Sequence, residues 1–178
     1  MRKKILLLCA SLMILLSANA QRVALKTNAL YWFVATPNLQ LELKLTPRAS
    51  VDLSAAYNPW TFKDNKALRF WLVQPEARYW FCEAFEGHFI GLHLHGAQYY
   101  HSGWSDKIYD GYLAGGGISY GYDWILSPHW NIEATLGVGY ARLWYKEMPD
   151  APCIKCFDNK HKNYWGVTRI GFTLSYLF

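Results

Sequence analysis

The feature that most constrains this chain is a period of two. From residue 22 onward, apolar and polar residues alternate in segments of about ten, and no 3.6-residue period competes with them. In 38–45, NLQLELKL, Leu39, Leu41, Leu43 and Leu45 share one face while Gln40, Glu42 and Lys44 share the other. In 51–58, Val51, Leu53, Ala55 and Tyr57 oppose Asp52, Ser54, Ala56 and Asn58. In 71–81, Trp71, Val73, Pro75, Ala77, Tyr79 and Phe81 oppose Leu72, Gln74, Glu76, Arg78 and Trp80. The pattern returns in 88–99, 112–124, 130–145 and 164–178. With a first strand over 22–33, this predicts eight strands and requires no helix. Successive side chains in a strand point to opposite faces, so each segment has one apolar and one polar side.

The connections also carry a pattern. The second, fourth and sixth are short, at 46–50, 82–86 and 126–129. Beyond the short first connection at 35–38, the odd ones are long and polar: 59–68, 100–110 and 146–163. In an antiparallel ring, odd and even connections lie at opposite ends. Short turns at one end and long loops at the other are typical of outer-membrane barrels.

Alternation alone does not say which face is outside. A soluble calyx turns its apolar face inward. The interior of an eight-stranded barrel is only just wide enough for side chains to fill. The Leu, Ile, Val, Tyr and Phe set is too bulky for that space, whereas the Gly, Ser, Thr and Asn set fits it. The expected fold class is therefore an all-β, eight-stranded antiparallel up-and-down transmembrane β-barrel, with its apolar face in lipid. Aromatics near strand ends, among them Trp124, Trp130, Trp144 and Tyr176, suit interfacial girdles. Arg142 falls on the lipid face near a strand end, where it would snorkel or mark a bulge.

Residues 1–20 read as a secretory signal peptide, and 21–178 as the barrel. Arg2, Lys3 and Lys4 precede the apolar run Ile5 to Leu16, and Ala18-Asn-Ala20 offers a cleavage site. A lipoprotein signal at Cys9 is the rival, but Cys9 sits in mid-core. Removing the leader leaves 15 basic against 13 acidic residues. The basic character thus belongs mostly to the leader, and a nucleic-acid partner gains no support. No apolar run beyond residue 20 reaches the roughly 20 residues of a spanning helix.

The polar face supplies the candidate site. Lys26, Lys44, Arg78 and Arg169 would lie inside with Glu42, Asp52, Glu76, Asp123 and Glu133. Four bases nearly balance five acids, and charges in a narrow lumen are costly unless paired. The expectation is an interlocked structural network that plugs the lumen. His93 and His95 share the same face and are read as members of that network rather than as metal ligands. Gly115-Gly-Gly117 has no following helix and reads as small inward residues or a bend, not a phosphate loop. Cys153 and Cys156 fit a local loop disulfide in an exported protein, with free thiols or half a zinc site as alternatives; Cys82 is left over. No nucleophile stands beside a base, so no catalytic residue, cofactor or metal is assigned.

The stretches KTNALYW (26–32), TPN (36–38), SVDLSAAYNPW (50–60), QPEARYWFCEAFEGHFIGLHLHG (74–96), GISYGYDWILSPHWNIEATLGVGYA (117–141) and GFTLSYLF (171–178) carry a resemblance. They resemble a Bacteroidota family catalogued as a domain of unknown function and expected to form outer-membrane barrels, here of the OmpA/OmpX architectural type. The resemblance implies a small exported barrel, sometimes encoded near fimbrial or adhesive surface proteins, and supplies no catalytic residues. The terminal Phe178 resembles the signal read by the barrel-assembly machinery. The expectation is a monomer in outer-membrane lipid, with a structural or interaction role through its outward loops, such as surface contact or fimbria-related anchoring. A narrow pore or small-molecule carrier is the alternative, and an outer-membrane enzyme a more distant one.

Overall fold

The structure, a computed structural model, describes residues 22–61, 67–102, 107–149 and 158–178. The expected leader and Cys153 and Cys156 lie outside the described residues. Eight strands form a closed antiparallel barrel in chain order: β1 (Val23–Asn28), β2 (Asn38–Thr46), β3 (Ala49–Asn58), β4 (Ala67–Trp80), β5 (Gly87–Ser102), β6 (Lys107–Ile125), β7 (Trp130–Pro149) and β8 (Asp158–Leu177). β1 closes the ring on β8, with Ala24 opposite Leu177 and Lys26 opposite Ser175.

The period of two is realised as an inverted barrel. Along β4, Gln74, Glu76, Arg78 and Trp80 are buried, while Trp71, Val73 and Tyr79 on the alternate positions of the strand are exposed. Leu92, Leu94, Ile118 and Ile170 are each more than half exposed, at 65%, 63%, 63% and 58%, while Glu42 and Asp52 are at 0%. The large aliphatic residues cover the outside, and polar residues fill the interior.

Two expectations need correction. The first strand does not reach residue 33. It stops at Asn28, which caps a one-turn helix, α1 (Ala29–Phe33): the Asn28 side-chain oxygen accepts from the Leu30 N–H at 3.0 Å. This apolar run has no period of two to hold it in the ladder. Two of the three long polar loops, 100–110 and 146–163, are also strand throughout their described residues. β5 runs to Ser102 and β6 resumes at Lys107; β7 runs to Pro149 and β8 resumes at Asp158. Alternation fades there because both faces turn polar or aromatic, yet the ladder continues from Tyr100↔Asp110 to Lys146↔Asn159. Strand length climbs from 6 residues in β1 to 20 in β8. The barrel rim is therefore uneven, with β5–β8 standing well above β1–β3.

The β7–β8 ladder shifts register between Gly137, opposite Arg169, and Val138, opposite Val167. The bulge thus falls at Thr168, not at Arg142. Arg142 stays outward with its guanidinium over the Trp144 ring, 5.4 Å from the centroid. The glycines expected to make room do so. A Cβ on Gly115 would stand 2.7 Å from His95 Nε2, and one on Gly117 would overlap the Val138 carbonyl.

Candidate functional site

The interior is built in layers from the short-turn end. The floor is apolar: Ala24, Trp80, Ala84, Phe85, Phe89 and Leu177 form one buried cluster. Two of these residues come from the 81–86 turn, which folds back under the barrel. To do so Phe85 adopts φ +74°, a left-handed conformation that is rare for a bulky residue, and Gly87 follows with the same φ. Its ring meets Trp80 edge-on at 6.1 Å, and Asn131 Nδ2 donates to the Phe85 carbonyl at 2.8 Å. Trp80 in turn packs against Phe89, ring centroids 4.7 Å apart and planes tilted at 43°, and donates from Nε1 to Ser50 Oγ at 2.8 Å.

The ionic layer rests on this floor, with Arg78 over the Phe89 ring at 4.5 Å and Lys26 over Phe85 at 5.8 Å. Register groups its acids in two blocks. Glu42, Asp52 and Glu76 are direct cross-strand partners on β2, β3 and β4; Asp123 and Glu133 are partners on β6 and β7. Like charges placed directly opposite repel, so the cations must bridge them. Lys26 Nζ lies 2.6 Å from both Glu42 and Glu133. Arg78 reaches Glu42 at 2.7 Å, Glu76 at 2.7 Å and Glu133 at 2.8 Å, with Asp52 at 3.7 Å. Arg169 holds Asp52 at 2.8 Å and Glu76 at 3.3 Å. Ser50 donates to Glu42, Ser119 to Glu76, and Thr135 to Glu133 at 2.6 Å.

The structure thus brings together eight of the nine residues expected in the lumen network. The exception is Lys44. It points inward but sits at the short-turn end, where its Nζ meets the exposed Glu83 at 2.7 Å. That hydrogen bond and the ammonium charge hold the Glu83 carboxyl below its ordinary value of 4.5. The expected near-balance is therefore corrected: among the described residues, three buried bases face five buried acids. Asp123 bears the imbalance. Its nearest cation, Lys26, is 3.9 Å away and engaged elsewhere, and both carboxylate oxygens are buried without a hydrogen-bond partner.

Above this layer His93 and His95 lie side by side, ring centroids 5.8 Å apart. His93 Nε2 bonds Thr168 Oγ1 at 2.9 Å, so the bulge residue links it to the wall beside Arg169. No group of three or more His, Cys, Asp or Glu able to hold a metal occurs among the described residues. Gln74 Nε2 donates to the Thr168 carbonyl at 3.0 Å. Tyr31 of α1, Gln40, Gln74 and Arg169 line an interior cavity of ≈ 10 Å³, about the threshold for one water. Phe178 lies outside, its ring edge-on to Tyr176 at 4.9 Å. Cys82 is exposed and free.

Sequence reasoning missed the apolar floor and the helical turn α1. Phe85 between Glu83 and Glu86 is the one visible hint of a turn that folds back, and Asn28 the one hint of α1.

Fold and interior together define an all-β ring of eight antiparallel strands closed around a paired ionic core. The chain belongs to the family described as protein of unknown function (DUF3575), whose model matches residues 5–178. No curated protein matches it.

Proposed function

We propose that this protein is an outer-membrane β-barrel of the OmpA/OmpX architectural type, acting as a structural or interaction module rather than a conduit. The observation that carries the reading is the inversion itself. Large aliphatic side chains cover the outside of the ring, while eight charged side chains are buried within it. A protein surrounded by water would expose the charges and bury the aliphatics. In a bilayer the same arrangement is favourable, because the closed ladder leaves no unsatisfied strand edge and the apolar face meets lipid.

Aromatics support the same placement. Trp130, Tyr176 and Phe178 cluster at the short-turn end; Tyr140 and Trp165 pack at 4.9 Å toward the other. These bands suit the two interfaces. The short-turn end then faces the periplasm, and the tall β5–β8 wall projects outward. Phe178 on the lipid face of the last strand suits capture by the barrel-assembly machinery. The aromatic floor, ionic layer and ≈ 10 Å³ cavity favour a closed lumen over a pore or carrier. The projecting hairpins are then the surface that meets a surface or fimbrial partner.

The test is fractionation of cells making the full chain, followed by electrophoresis with and without boiling. The reading expects recovery in the outer membrane, faster migration unboiled, and silent planar bilayers. Recovery in the soluble periplasmic fraction with migration indifferent to boiling refutes the membrane placement. Steady single-channel conductance refutes the closed lumen.

A further inference from the structure

The ladder between β1 and β8 ends at Asn28 opposite Thr173. Above that point β8 continues to Asp158, and among the described residues it pairs there with β7 alone. One edge of the tall wall therefore has no neighbouring strand. Its lower part is covered by side chains. The Asn28 amide stands in for the strand that has stopped: Nδ2 donates to the Ile170 carbonyl at 3.0 Å, and Oδ1 accepts from the Phe172 N–H at 3.2 Å. α1 packs against β8, and the Tyr164 hydroxyl donates to the Val167 carbonyl at 3.4 Å. Within the bilayer the edge is thus sealed, as lipid requires.

Above Val167 the cover stops. Trp165 is 77% exposed and Tyr164 42%, although neighbours on a strand point to opposite faces, and every residue from 159 to 165 is exposed. The main-chain groups can be assigned to sides, because alternate residues of a strand bond to opposite neighbours. The Leu177 N–H donates to the His129 carbonyl, so the odd-numbered residues of β7 face β8. Opposite Gly139, Ala141 and Leu143 stand Gly166, Tyr164 and Lys162. The residues between these, His161, Asn163 and Trp165, turn their N–H and C=O groups to the open edge. The stretch His161–Trp165 spans roughly 17 Å, an ordinary strand length.

We infer that the His161–Trp165 edge of β8 takes up an extended segment of a partner protein as an added strand, with a carboxylate of that segment opposite Lys162. The inference rests on the outer-membrane reading and names the kind of partner that the projecting wall meets. The main chain selects the class of partner. A row of alternating donors and acceptors at strand spacing is matched by another extended backbone, and strand addition to an open edge is an established mode of peptide recognition. The side chains select within that class. Lysine on an open edge discourages indiscriminate pairing. A strand with an acid opposite the exposed Lys162 gains a cross-strand ion pair instead, and an apolar residue two positions along gains the Tyr164 ring on the same face.

The experiment uses the full chain in phosphatidylcholine nanodiscs, with insertion scored by heat-modifiable migration. The probe is an end-capped synthetic peptide of alternating threonine and valine with a central glutamate. One companion peptide carries lysine in place of the glutamate; another carries N-methyl groups on alternate backbone amides. Amide hydrogen exchange is read by NMR and affinity by anisotropy of a labelled peptide. The glutamate peptide should slow exchange about tenfold at His161, Asn163 and Trp165 and leave Lys162 and Tyr164, already bonded to β7, unchanged. The lysine peptide should bind about threefold more weakly, and the methylated one should give no protection. Asn163→Pro removes an edge-facing N–H while sparing the β7 ladder, and should weaken binding about tenfold. Val73→Ala, on β4 across the ring, should bind as wild type. Equal protection by the methylated peptide overturns main-chain pairing, and equal or tighter binding of the lysine peptide overturns the carboxylate. Wild-type binding by Asn163→Pro overturns the location. Protection of the same amides without peptide, rising with protein concentration, assigns the edge to a second copy and overturns the partner. Insertion without any protection overturns the added strand alone, whereas failure to insert overturns the outer-membrane reading and this inference with it.

Discussion

Arg78 is the most connected group in the interior, and its removal gives the sharpest test of how the lumen is held. Replacement by Met keeps most of the volume and deletes the charge. Three carboxylates then lose a partner within 2.8 Å: Glu42, Glu76 and Glu133. Charge-assisted hydrogen bonds contribute about 1.5–3 kcal/mol each, so a simple sum over three would approach the whole stability of a small domain. The structure argues for less. Lys26 still holds Glu42 and Glu133 at 2.6 Å, and Arg169 still holds Glu76 at 3.3 Å. The loss should therefore resemble breaking one buried ion pair, about 3–5 kcal/mol. The assay is urea unfolding of the refolded barrel in detergent micelles, followed by the heat-modifiable band and by tryptophan emission. A second substitution supplies the check. With two bases left against five acids, adding Glu133→Gln to Arg78→Met removes one excess charge and should recover about 1–2 kcal/mol. An Arg78→Met variant within about 1 kcal/mol of wild type would refute a charge-locked lumen, as would a double variant less stable than the single one.

Other outcomes follow from the same geometry. Asp123→Asn removes an acid with no hydrogen-bond partner from an over-acidic layer, so urea unfolding should show stability unchanged or raised by about 1 kcal/mol. Gly117→Ala forces a Cβ into the Val138 carbonyl on the neighbouring strand; it should cost about 1–3 kcal/mol in the same assay and widen the β6–β7 amide spacing seen by hydrogen exchange. At the short-turn end, Glu83 has a depressed carboxyl value from its Lys44 bond. The stability it adds is full above pH 4.5, the ordinary value, and is lost as pH falls through its lower folded value. Unfolding midpoints of wild type and Glu83→Gln should thus differ slightly at neutral pH and converge in acid.

Much of the fold was legible because strand alternation is local. Gln74, Glu76, Arg78 and Trp80 read as one face from spacing alone, and that is the buried face of β4. The narrow bore of eight strands then fixed which set goes inside. Legibility failed where the period failed. Ala29–Phe33 is apolar throughout, and its helical turn rests on the Asn28 cap. The rim segments around Tyr100 and His161 lack a clean polar–apolar alternation, yet they extend the ladder. Phe85 sits in a turn where the fold-back depends on Trp80 at the end of the preceding strand and on Asn131 from a distant one.

The candidate site shows the same division. By itself the sequence determined a chain of short alternating strands, the residues that share the polar face, and the signs of their charges, because each follows from the neighbours i±2. Only the tertiary structure decided who pairs with whom. Glu42, Asp52 and Glu76 become adjacent through the registers of β2–β4, and Lys26 meets Glu133 across 107 positions of sequence. Lys44, two residues from Glu42 on the same face, is drawn instead to Glu83 at the barrel end. Ring closure and register are non-local, and they turned a nearly balanced list of charges into an interlocked layer with two acids in excess.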